Sequence, residues 1–509
     1  MAINGTSVQV GPWRSVRYDT PPEECAPDEL NSMENVRIGP AGWLVSRLGT
    51  LPYQSLAAIG GTPTLTMATE FMPNASTTHT VIVAGAVIYK EATGWTDITG
   101  SVTATAGNDN TWESVNANGV LVATNGVDTN AWKWTGAGNA TDLDDNARFT
   151  KGRHIEWFDN RLWIGNVNGA TGQLWYSDTA AIETWGGTSF FNFGGIITGL
   201  KATQNQLVVH TTIGIFTLTP TGNATVPYHP QPQTSRAGID GRSCVSLPDD
   251  TQLMLLKDGI YKWRGGATLE RVSHALDGEG YWDDINPARL HKAFALEWPL
   301  GDEVWFMVPN GTSQTNMNHI IVYSKRRKVI IPNPGGEPTV SGAWHGPYTG
   351  FERNCASLIA GAPHLGGFDG FLWDHNVGDD DNGTAITSEF ETAHTSPMGA
   401  DVRVRWLNAR HFYDGKGDYD LAISQRGTAL NGTTKNITLR GEGFTLDVDK
   451  LDEDNLSDVV QLSQDSPLQD YAPNSGLKAS MSTADQSFKY YKAQLRYKPV
   501  GRFLKPPPE

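Results

Sequence analysis

The sequence predicts an all-β protein in which a β-propeller of about six to eight blades is joined to a further β-rich, sandwich-like domain. Short alternating runs of apolar and polar residues, bounded by Gly, Asn and Asp, recur along most of the chain, whereas helical stripes are rare. The 509 residues include 55 Gly and 17 Trp, a composition typical of tight turns and aromatic packing. Because one hydrophobic core stops growing below this chain length, we expect a core distributed over repeats.

The propeller prediction depends on a repeated unit of an apolar strand, a turn and an aromatic-rich strand. The unit recurs at residues 78–99, 118–136, 160–178, 205–220, 251–266, 302–330 and, more weakly, 366–376. Its spacing of roughly 40 to 60 residues is that of four-stranded blades. One unit alone would expose a hydrophobic sheet face, so the units should stack around a common axis. A β-sandwich built from similar hairpins remains the alternative.

In a propeller, the aromatic residue that follows each turn should fill the space between neighbouring blades. These residues are Tyr89, Trp134, Trp175, Phe216, Trp263 and Trp373. We therefore interpret Trp163 and Trp175 as packing residues and not as a platform for a sugar ring, and Ser177 with Asp178 as the cap of a turn.

Two regions without the repeat flank the predicted propeller, which we place at residues 61–380. Residues 1–60 contain several prolines and predict an extended arm with short strands. Residues 381–509 predict a C-terminal β-rich domain, and the arm is a possible contributor to it. Within that domain, residues 446–476 are acidic and poor in periodicity, which predicts a long loop or insertion.

Charge and composition restrict the partners of the chain. The net charge of −16 argues against tight binding to a nucleic-acid backbone, since that affinity comes from Lys and Arg. No apolar stretch reaches the roughly 20 residues that span a bilayer, and the N-terminus lacks a secretion signal, so we expect no membrane span. Cys25, Cys244 and Cys355 are isolated, which excludes a disulfide framework and a zinc cluster.

The common catalytic motifs are missing from the sequence, so we predict neither an enzyme nor a cofactor. There is no Gly-x-Ser-x-Gly elbow, no phosphate-binding loop and no His-Glu-x-x-His helix. The segment from Ser177 to Trp185 resembles the Asp-box turn of sialidases in one degraded copy. A hydrolase would still require paired carboxylates that face one pocket.

One segment approaches a calcium loop, although we predict no metal. Asp380, Asn382 and Glu389 fall at ligand positions of a 12-residue loop, but Gly378 occupies the place of the first ligand. The flanking segments predict strands and not helices, and an Asp/Asn-Gly turn explains the same residues.

Residues 25–50 resemble the N-terminal signature of the tail nozzle and head-to-tail stabilisation proteins of tailed bacteriophages. In that family an Asn-Val pair is followed by a glycine turn and an Arg-x-Gly. The matching residues here are Asn35, Val36, Gly39, Gly42, Arg47 and Gly49. The resemblance continues over one repeat of the chain through Arg161, Trp163, Tyr176, Ser177, Asp178 and Trp185. It extends to about residue 385 and does not reach the C-terminal region.

The resemblance implies a structural protein of the virion, assembled in the cytoplasm of the bacterial host. Family members form a homo-oligomeric ring, commonly a hexamer, below the portal and its adaptor. The ring extends the DNA channel, retains the genome, passes it during ejection without tight binding, and carries fibres or tailspikes and a plug or needle. The arm and the C-terminal region, as elements added to a propeller, are expected to supply the ring and adaptor contacts. The first alternative function is a glycan-binding or receptor-binding propeller at the tail tip. A polysaccharide hydrolase is the second, less favoured alternative.

Overall fold

The computed structural model describes most of the chain between residues 6 and 500. The residues in this span that it does not describe are 145–147, 237, 239–240, 278–280, 332–338, 415–419, 428–429, 433, 440–460, 469–470 and 484–485. The described residues form 42 strands and six single-turn 3₁₀ helices. The helices are Tyr53–Ser55, Gly241–Ser243, His274–Leu276, Trp282–Asp284, Leu290–Lys292 and Pro299–Gly301. Within the described part of the chain, no helix is long and apolar enough to cross a bilayer.

The N-terminal segment contributes six short strands. They are β1 (Thr6–Val10), β2 (Ser15–Val16), β3 (Glu29–Glu34), β4 (Val36–Ile38), β5 (Leu44–Ser46) and β6 (Thr50–Pro52). The first five belong to a sandwich that is described below, and β6 belongs to the propeller.

Seven four-stranded antiparallel sheets follow, each of which is one blade. Blade 1 is β7 (Leu65–Asn74), β8 (Thr77–Ala84), β9 (Val87–Glu91) and β10 (Trp95–Asp97). Blade 2 is β11 (Glu113–Ala117), β12 (Val120–Thr124), β13 (Trp132–Trp134) and β14 (Thr141–Asp142). Blade 3 is β15 (Gly152–Phe158), β16 (Arg161–Val167), β17 (Ala170–Tyr176) and β18 (Phe190–Asn192). Blade 4 is β19 (Ile197–Ala202), β20 (Leu207–Thr211), β21 (Gly214–Pro220) and β22 (Tyr228–Thr234).

The remaining blades complete the ring. Blade 5 is β23 (Cys244–Ser246), β24 (Gln252–Leu256), β25 (Gly259–Trp263) and β26 (Leu269–Arg271). Blade 6 is β27 (Phe294–Trp298), β28 (Glu303–Val308), β29 (His319–Ile331) and β30 (Thr339–Tyr348). Blade 7 is β31 (Cys355–Ile359), β32 (Ala362–Gly366), β33 (Leu372–His375) and, as its outer strand, β6.

The contacts between blades are cyclic, which confirms the predicted propeller and makes it seven-bladed. The first strand of each blade contacts the first strand of the next, and β31 of blade 7 contacts β7 of blade 1. Each repeat found in the sequence contains second-strand and third-strand residues of one blade. The ring is closed by β6, in which Leu51 pairs with Asp374 of β33. An N-terminal strand therefore completes a sheet formed by residues more than 300 positions later.

Aromatic side chains fill the spaces between blades, as the sequence predicted. Trp163 is fully buried against residues of blade 4, and its indole N–H donates to the carbonyl of Phe158 at 3.1 Å. Trp175 is buried in the cluster formed with blade 2. Of the six predicted inter-blade aromatics, Trp373 differs, since it belongs to no such cluster and lies half-buried beside Arg353.

The sandwich combines the N-terminal strands with nine C-terminal strands. These are β34 (Ser388–Thr392), β35 (Val404–Asp414), β36 (Asp420–Gly427), β37 (Leu430–Asn431), β38 (Lys435–Thr438), β39 (Gln461–Pro467), β40 (Tyr471–Ala472), β41 (Gly476–Met481) and β42 (Lys489–Pro499). One sheet has the order β39-β35-β42-β5-β4, with β1 on β42 and β40 on β35. The other has the order β2-β3-β34-β41-β36-β37, with β38 on β36. This confirms a β-rich second domain to which both ends of the chain contribute.

Alternation of buried and exposed residues explains why the C-terminal strands form a sandwich. In β35 and β42 buried side chains largely alternate with more exposed ones, so each strand presents one face to the core. Phe390 and Tyr490, one from each sheet, lie 5.5 Å apart between ring centroids, and Trp13 stacks on Tyr490. These rings form the contact between the two sheets.

The sandwich packs on the outer strand of blade 6, where β30 contacts β2, β3 and β4. The backbone N–H of Trp344 donates to the hydroxyl of Ser15, and the indole of Trp344 donates to the carbonyl of Val272 at 2.8 Å. One hydrophobic cluster extends from the sandwich into blades 5 and 6. The two domains therefore share a continuous core.

The acidic segment at residues 446–476 is not a loop throughout. Residues 461–467 form β39, which pairs with β35 from Asp414↔Gln461 to Asn408↔Pro467. β39 is stabilised by its backbone hydrogen bonds to the long strand β35. A search for alternating apolar residues does not detect a strand of this kind. Residues 446–460, which precede β39 in this segment, lie outside the described residues.

We predict that Trp175→Ala lowers the free energy of unfolding by about 3 to 5 kcal/mol, because it removes a buried indole from the space between two blades. The matched change Leu300→Ala should cost less than about 0.5 kcal/mol, since Leu300 is 79% exposed. Denaturant unfolding of both variants measures the difference. A wild-type midpoint for Trp175→Ala would contradict the assigned packing.

Candidate functional site

The residues of the N-terminal motif converge where the sandwich meets the propeller, and we call this contact region the junction. Asn35 lies in the turn between β3 and β4 with φ of 52°, a conformation that Asn tolerates better than most residues. Its side-chain N–H₂ donates to the hydroxyl of Thr349 and to the carbonyl of Thr387, and its oxygen accepts from the N–H of Thr349. Asn35 thus connects the arm to blade 6 and to the segment that leads into the C-terminal domain.

Arg47 is the central charged group of the junction. It is 3% exposed, and its guanidinium forms a two-point contact with Asp381 at 2.9 and 2.5 Å. It also donates to the side-chain oxygen of Asn35 at 2.7 Å and to the carbonyl of Thr349 at 2.9 Å. A buried guanidinium is stable only when its donors are satisfied in this way. Arg47 therefore joins the arm to the loop after blade 6 and to the segment after blade 7.

Gly49 is required by a close approach of two backbone segments. Its N–H donates to the carbonyl of Gly378 at 2.9 Å, and a Cβ at this position would lie 1.6 Å from the carbonyl oxygen of Asp380. Any side chain here would separate the two segments that connect the propeller with the sandwich.

Three other motif residues also have structural roles. Gly42 has φ of 88°, and a Cβ there would lie 2.7 Å from Pro12. The Cβ of a residue at Gly39 would overlap the indole of Trp43. Val36 is fully buried in the core of the sandwich.

A second ionic contact joins the arm to blade 6. Arg37 of β4 pairs with Glu303 of β28 at 2.5 Å, and His345 lies 3.5 Å from the same carboxylate. The indole of Trp305 donates to the other oxygen of Glu303 at 2.9 Å. Burial alone would raise the pKa of Glu303, but His345, Arg37 and Trp305 outweigh it and lower the pKa to about 2. Burial lowers the pKa of His345.

The motif residues of blade 3 form a turn. The hydroxyl of Ser177 accepts from the N–H of Leu162, and the side chain of Arg161 donates to the carbonyl of Ser177 at 2.7 Å. The N–H of Asp178 donates to the carbonyl of Thr184. These hydrogen bonds fix the backbone of the turn. The aromatic residues of the segment are packed: the ring centroids of Trp163 and Tyr176 lie 5.0 Å apart, and Trp185 meets Phe149 edge to face at 5.2 Å.

The three residues of the candidate calcium loop do not converge. Asp380 accepts from the N–H of Gly383, which is the contact of an Asx-type turn. Glu389 lies in β34 and pairs with Lys478 at 2.5 Å. Across the described ranges, no group of three or more His, Cys, Asp or Glu residues is arranged to hold a metal ion.

The axis of the propeller contains a cavity of about 280 Å³. Its charged lining includes Glu113, Glu156, Lys201 and Arg242. Burial raises the pKa of both carboxyls, but contact with His154 at 2.9 Å overrides this for Glu113 and lowers its pKa to about 2. Glu156 accepts from the N–H of Trp157. The chain's own donors therefore engage both carboxylates.

A larger space lies at the junction, and we call it the junction cleft. It has a volume of about 610 Å³. The loops after β30 and β32 line one side, and the two segments that connect the domains line the other. Sequence reasoning did not find Arg353, Asp369 or Asp381 of this cleft, because none of them belongs to a recognisable motif. The motif residues Asn35 and Arg47 also line it.

Comparison with known proteins gives fold likeness only. No protein-family model and no curated protein matches the chain. Among solved structures, virginiamycin B lyase from Staphylococcus aureus is similar at 9% identity and a TM-score of 0.40, over 64% of this chain and 98% of that one. BamB from Moraxella catarrhalis is similar at 9% identity and a TM-score of 0.36, over 65% and 97% of the two chains. PorZ from Porphyromonas gingivalis, a surface component of the type-IX secretion system, is similar at 13% identity and a TM-score of 0.37, over 71% and 44%.

We predict that Gly49→Ala destabilises the protein by at least about 3 kcal/mol, because the added Cβ would collide with backbone that cannot move independently. Gly94→Ala is the matched control, since nothing lies within 4 Å of a Cβ at Gly94. Thermal unfolding of both variants checks this. Equal melting temperatures would mean that the backbone approach at Gly49 is not required.

The lowered pKa of Glu303 predicts that the protein loses stability in acid. Its folded pKa of about 2 lies below the unfolded value of about 4.3, so its stabilising effect is present above pH 4.3 and is lost as the pH falls towards 2. At neutral pH the ionised Glu303 should contribute about 3 kcal/mol to the free energy of unfolding. Glu303→Gln should therefore be less stable than the wild type at pH 7, and the difference should shrink in acid. A difference in stability between Glu303→Gln and the wild type that does not change with pH would contradict this. So would an equal loss of stability in the control Glu24→Gln, which replaces an exposed carboxylate.

Proposed function

We propose that the protein is a structural, non-catalytic component of a bacteriophage tail nozzle, which assembles as a ring below a portal and adaptor. The observation that carries the proposal is the junction: residues of the family-like motif, above all Asn35, Arg47 and Gly49, make the contacts that join the arm, the propeller and the C-terminal domain. The motif is thus explained by assembly of this particular two-domain unit, which supports the resemblance.

The axial cavity bears on the route of DNA. At about 280 Å³ it is far too small for a double helix, whose major groove alone is about 12 Å wide. A DNA channel would therefore have to be enclosed by several copies of the chain around a common axis. The net charge of −16 suits a wall that does not retain the phosphate backbone.

The closed propeller suits a part that bears mechanical load. Its seven sheets form a ring in which β6, the outer strand of blade 7, pairs with β33 and covers the edge of that strand. Covered strand edges do not recruit other chains. We propose that the ring contacts, and the attachment of adaptor, fibres or spikes, use surfaces of the sandwich, to which the arm and the C-terminal region both contribute.

The alternative of a glycan-binding propeller at the tail tip would place exposed Trp and Tyr on blade loops. Each of the 17 tryptophans is buried or half-buried, and among described tyrosines only Tyr471, which lies in the sandwich, is more than half exposed. Among the described residues, the blade loops therefore lack the exposed Trp or Tyr that a receptor-binding tip would present, which favours the structural function over a propeller at the tail tip.

The oligomeric state of the purified chain tests the proposal. Light scattering and negative-stain images should show closed rings with a central hole, formed by the chain alone or on addition of the adaptor and portal of the same phage. Mobility-shift assays should show only weak, salt-sensitive retention of duplex DNA. A chain that stays monomeric with the adaptor and portal would contradict the proposal, and turnover of a bacterial polysaccharide would replace it with the hydrolase alternative.

A further inference from the structure

The junction cleft contains a buried cation whose hydrogen-bonding capacity is only partly used. Arg353 is 5% exposed. Its Nε donates to Nε2 of His375 at 3.3 Å, and one Nη1 hydrogen is directed to the carbonyl of Glu352 at 3.0 Å. Burial lowers the pKa of Arg353 to about 10 and keeps His375 neutral by lowering its pKa well below the usual value.

The remaining donors of Arg353 have no acceptor among the described residues. A guanidinium carries five N–H donors, and the hydrogen bonds of Arg353 to His375 and Glu352 use two of them. None of the ion pairs of the described residues includes Arg353, whereas Arg47 on the same cleft is paired with Asp381. Unused donors on a buried charge are costly unless a molecule in the adjoining space accepts from them.

Aromatic rings surround this group. Phe351 and Trp373 lie 4.9 and 5.1 Å from the guanidinium carbon of Arg353, and Phe368 also lines the cleft. All three rings are half-buried. Trp373 is the one predicted inter-blade aromatic that does not join an inter-blade cluster, and its position on the cleft gives it a different role.

The charges of the cleft select against an anion. Its lining has four carboxylates, from Glu34, Glu352, Asp369 and Asp381, and two guanidiniums. Each carboxylate already accepts from the protein but has further lone pairs, since two oxygens offer about four acceptor sites. A suitable ligand is therefore neutral, accepts hydrogen bonds from Arg353, donates hydrogen bonds to carboxylates, and has an apolar face for an aromatic ring.

We infer that the junction cleft is a binding site for a neutral saccharide, held by Arg353, Asp369 and Trp373. Sugar hydroxyls both donate and accept, and the C–H face of a pyranose packs on an aromatic ring. A peptide backbone fits less well, because β33 is paired on both edges, with β32 and β6, and offers no free strand edge. This inference goes beyond the proposed ring and does not depend on it.

Saturation-transfer NMR and calorimetric titration of the full chain test the inference. The probes are glucose, galactose and N-acetylglucosamine, with glucuronate and glucosamine as charged analogues and a blocked tripeptide as a peptide probe. At least one neutral sugar should bind with a dissociation constant of about 1 mM, as expected for a small polar ligand. Glucuronate should bind at least about tenfold more weakly, because of the carboxylates.

Variants locate the binding. Trp373→Ala and Arg353→Lys should each weaken binding of the neutral sugar at least about tenfold, since one removes the ring and the other the planar donor group. If Arg353→Lys does not fold, Asp369→Asn takes its place. It keeps the shape of the side chain and removes its charge, and it should also weaken binding of the neutral sugar. Tyr471→Ala removes an exposed aromatic from the sandwich and should leave binding unchanged.

Three outcomes would overturn the inference. They are the absence of saturable binding by every neutral sugar, binding that Trp373→Ala and the polar variants leave unchanged, and preferential binding of glucuronate or of the tripeptide. The saccharide site does not depend on oligomerisation. A chain that stays monomeric but binds sugar would therefore contradict the proposed ring and support the proposed saccharide site.

Discussion

The molecule depends on one buried arginine. The guanidinium of Arg47 is buried away from water, and its hydrogen bonds go to Asp381, to Asn35 and to the carbonyls of Leu48 and Thr349. These acceptors belong to the segment after blade 7, to the arm and to the loop after blade 6. Breaking such a set leaves a buried charge uncompensated, which costs several kcal/mol. Correct folding of the arm, the propeller and the C-terminal segment is therefore linked through a single side chain.

This linkage explains why strands from both ends of the chain are part of the fold and why a cleft of about 610 Å³ lies at the junction. The chain enters the propeller after Arg47 and leaves it before Asp381, so both connections pass the same point. Arg47 and Arg353 lie 5.2 and 4.9 Å from the ring of Phe351, which connects the structural contact with the cleft. Ligand sites commonly lie between domains, where rigid elements from both can position a few polar groups.

The sequence predicted those features that local periodicity encodes. The second strand of most blades is a nearly continuous buried run, as in β20, β24 and β28, and an aromatic-rich third strand follows it after a turn. All seven repeats, including the weak one at residues 366–376, therefore correspond to blades. The repeat did not include the first strands, although each pairs with the second strand of its own blade. The three-residue β6 owes its place to β33, more than 300 residues later. The same is true of Glu303, which pairs with Arg37 266 residues earlier, and of Arg353, whose role is visible only when Trp373 and Phe351 are brought beside it. Asn35, Arg47 and Gly49 were found through a resemblance, while their contacts required the structure.

Hydrogen exchange during denaturant unfolding tests the central claim that the junction makes one cooperative unit of two domains. Backbone amides of the sandwich, such as those of β35 and β42, should become exposed at the same denaturant concentration as those of blades 6 and 7. In Arg47→Lys, which removes the planar contact with Asp381, the sandwich amides should open first while the blades stay protected. Separate opening of the sandwich and the propeller in the wild type would contradict the account, because the junction would then contribute no coupling.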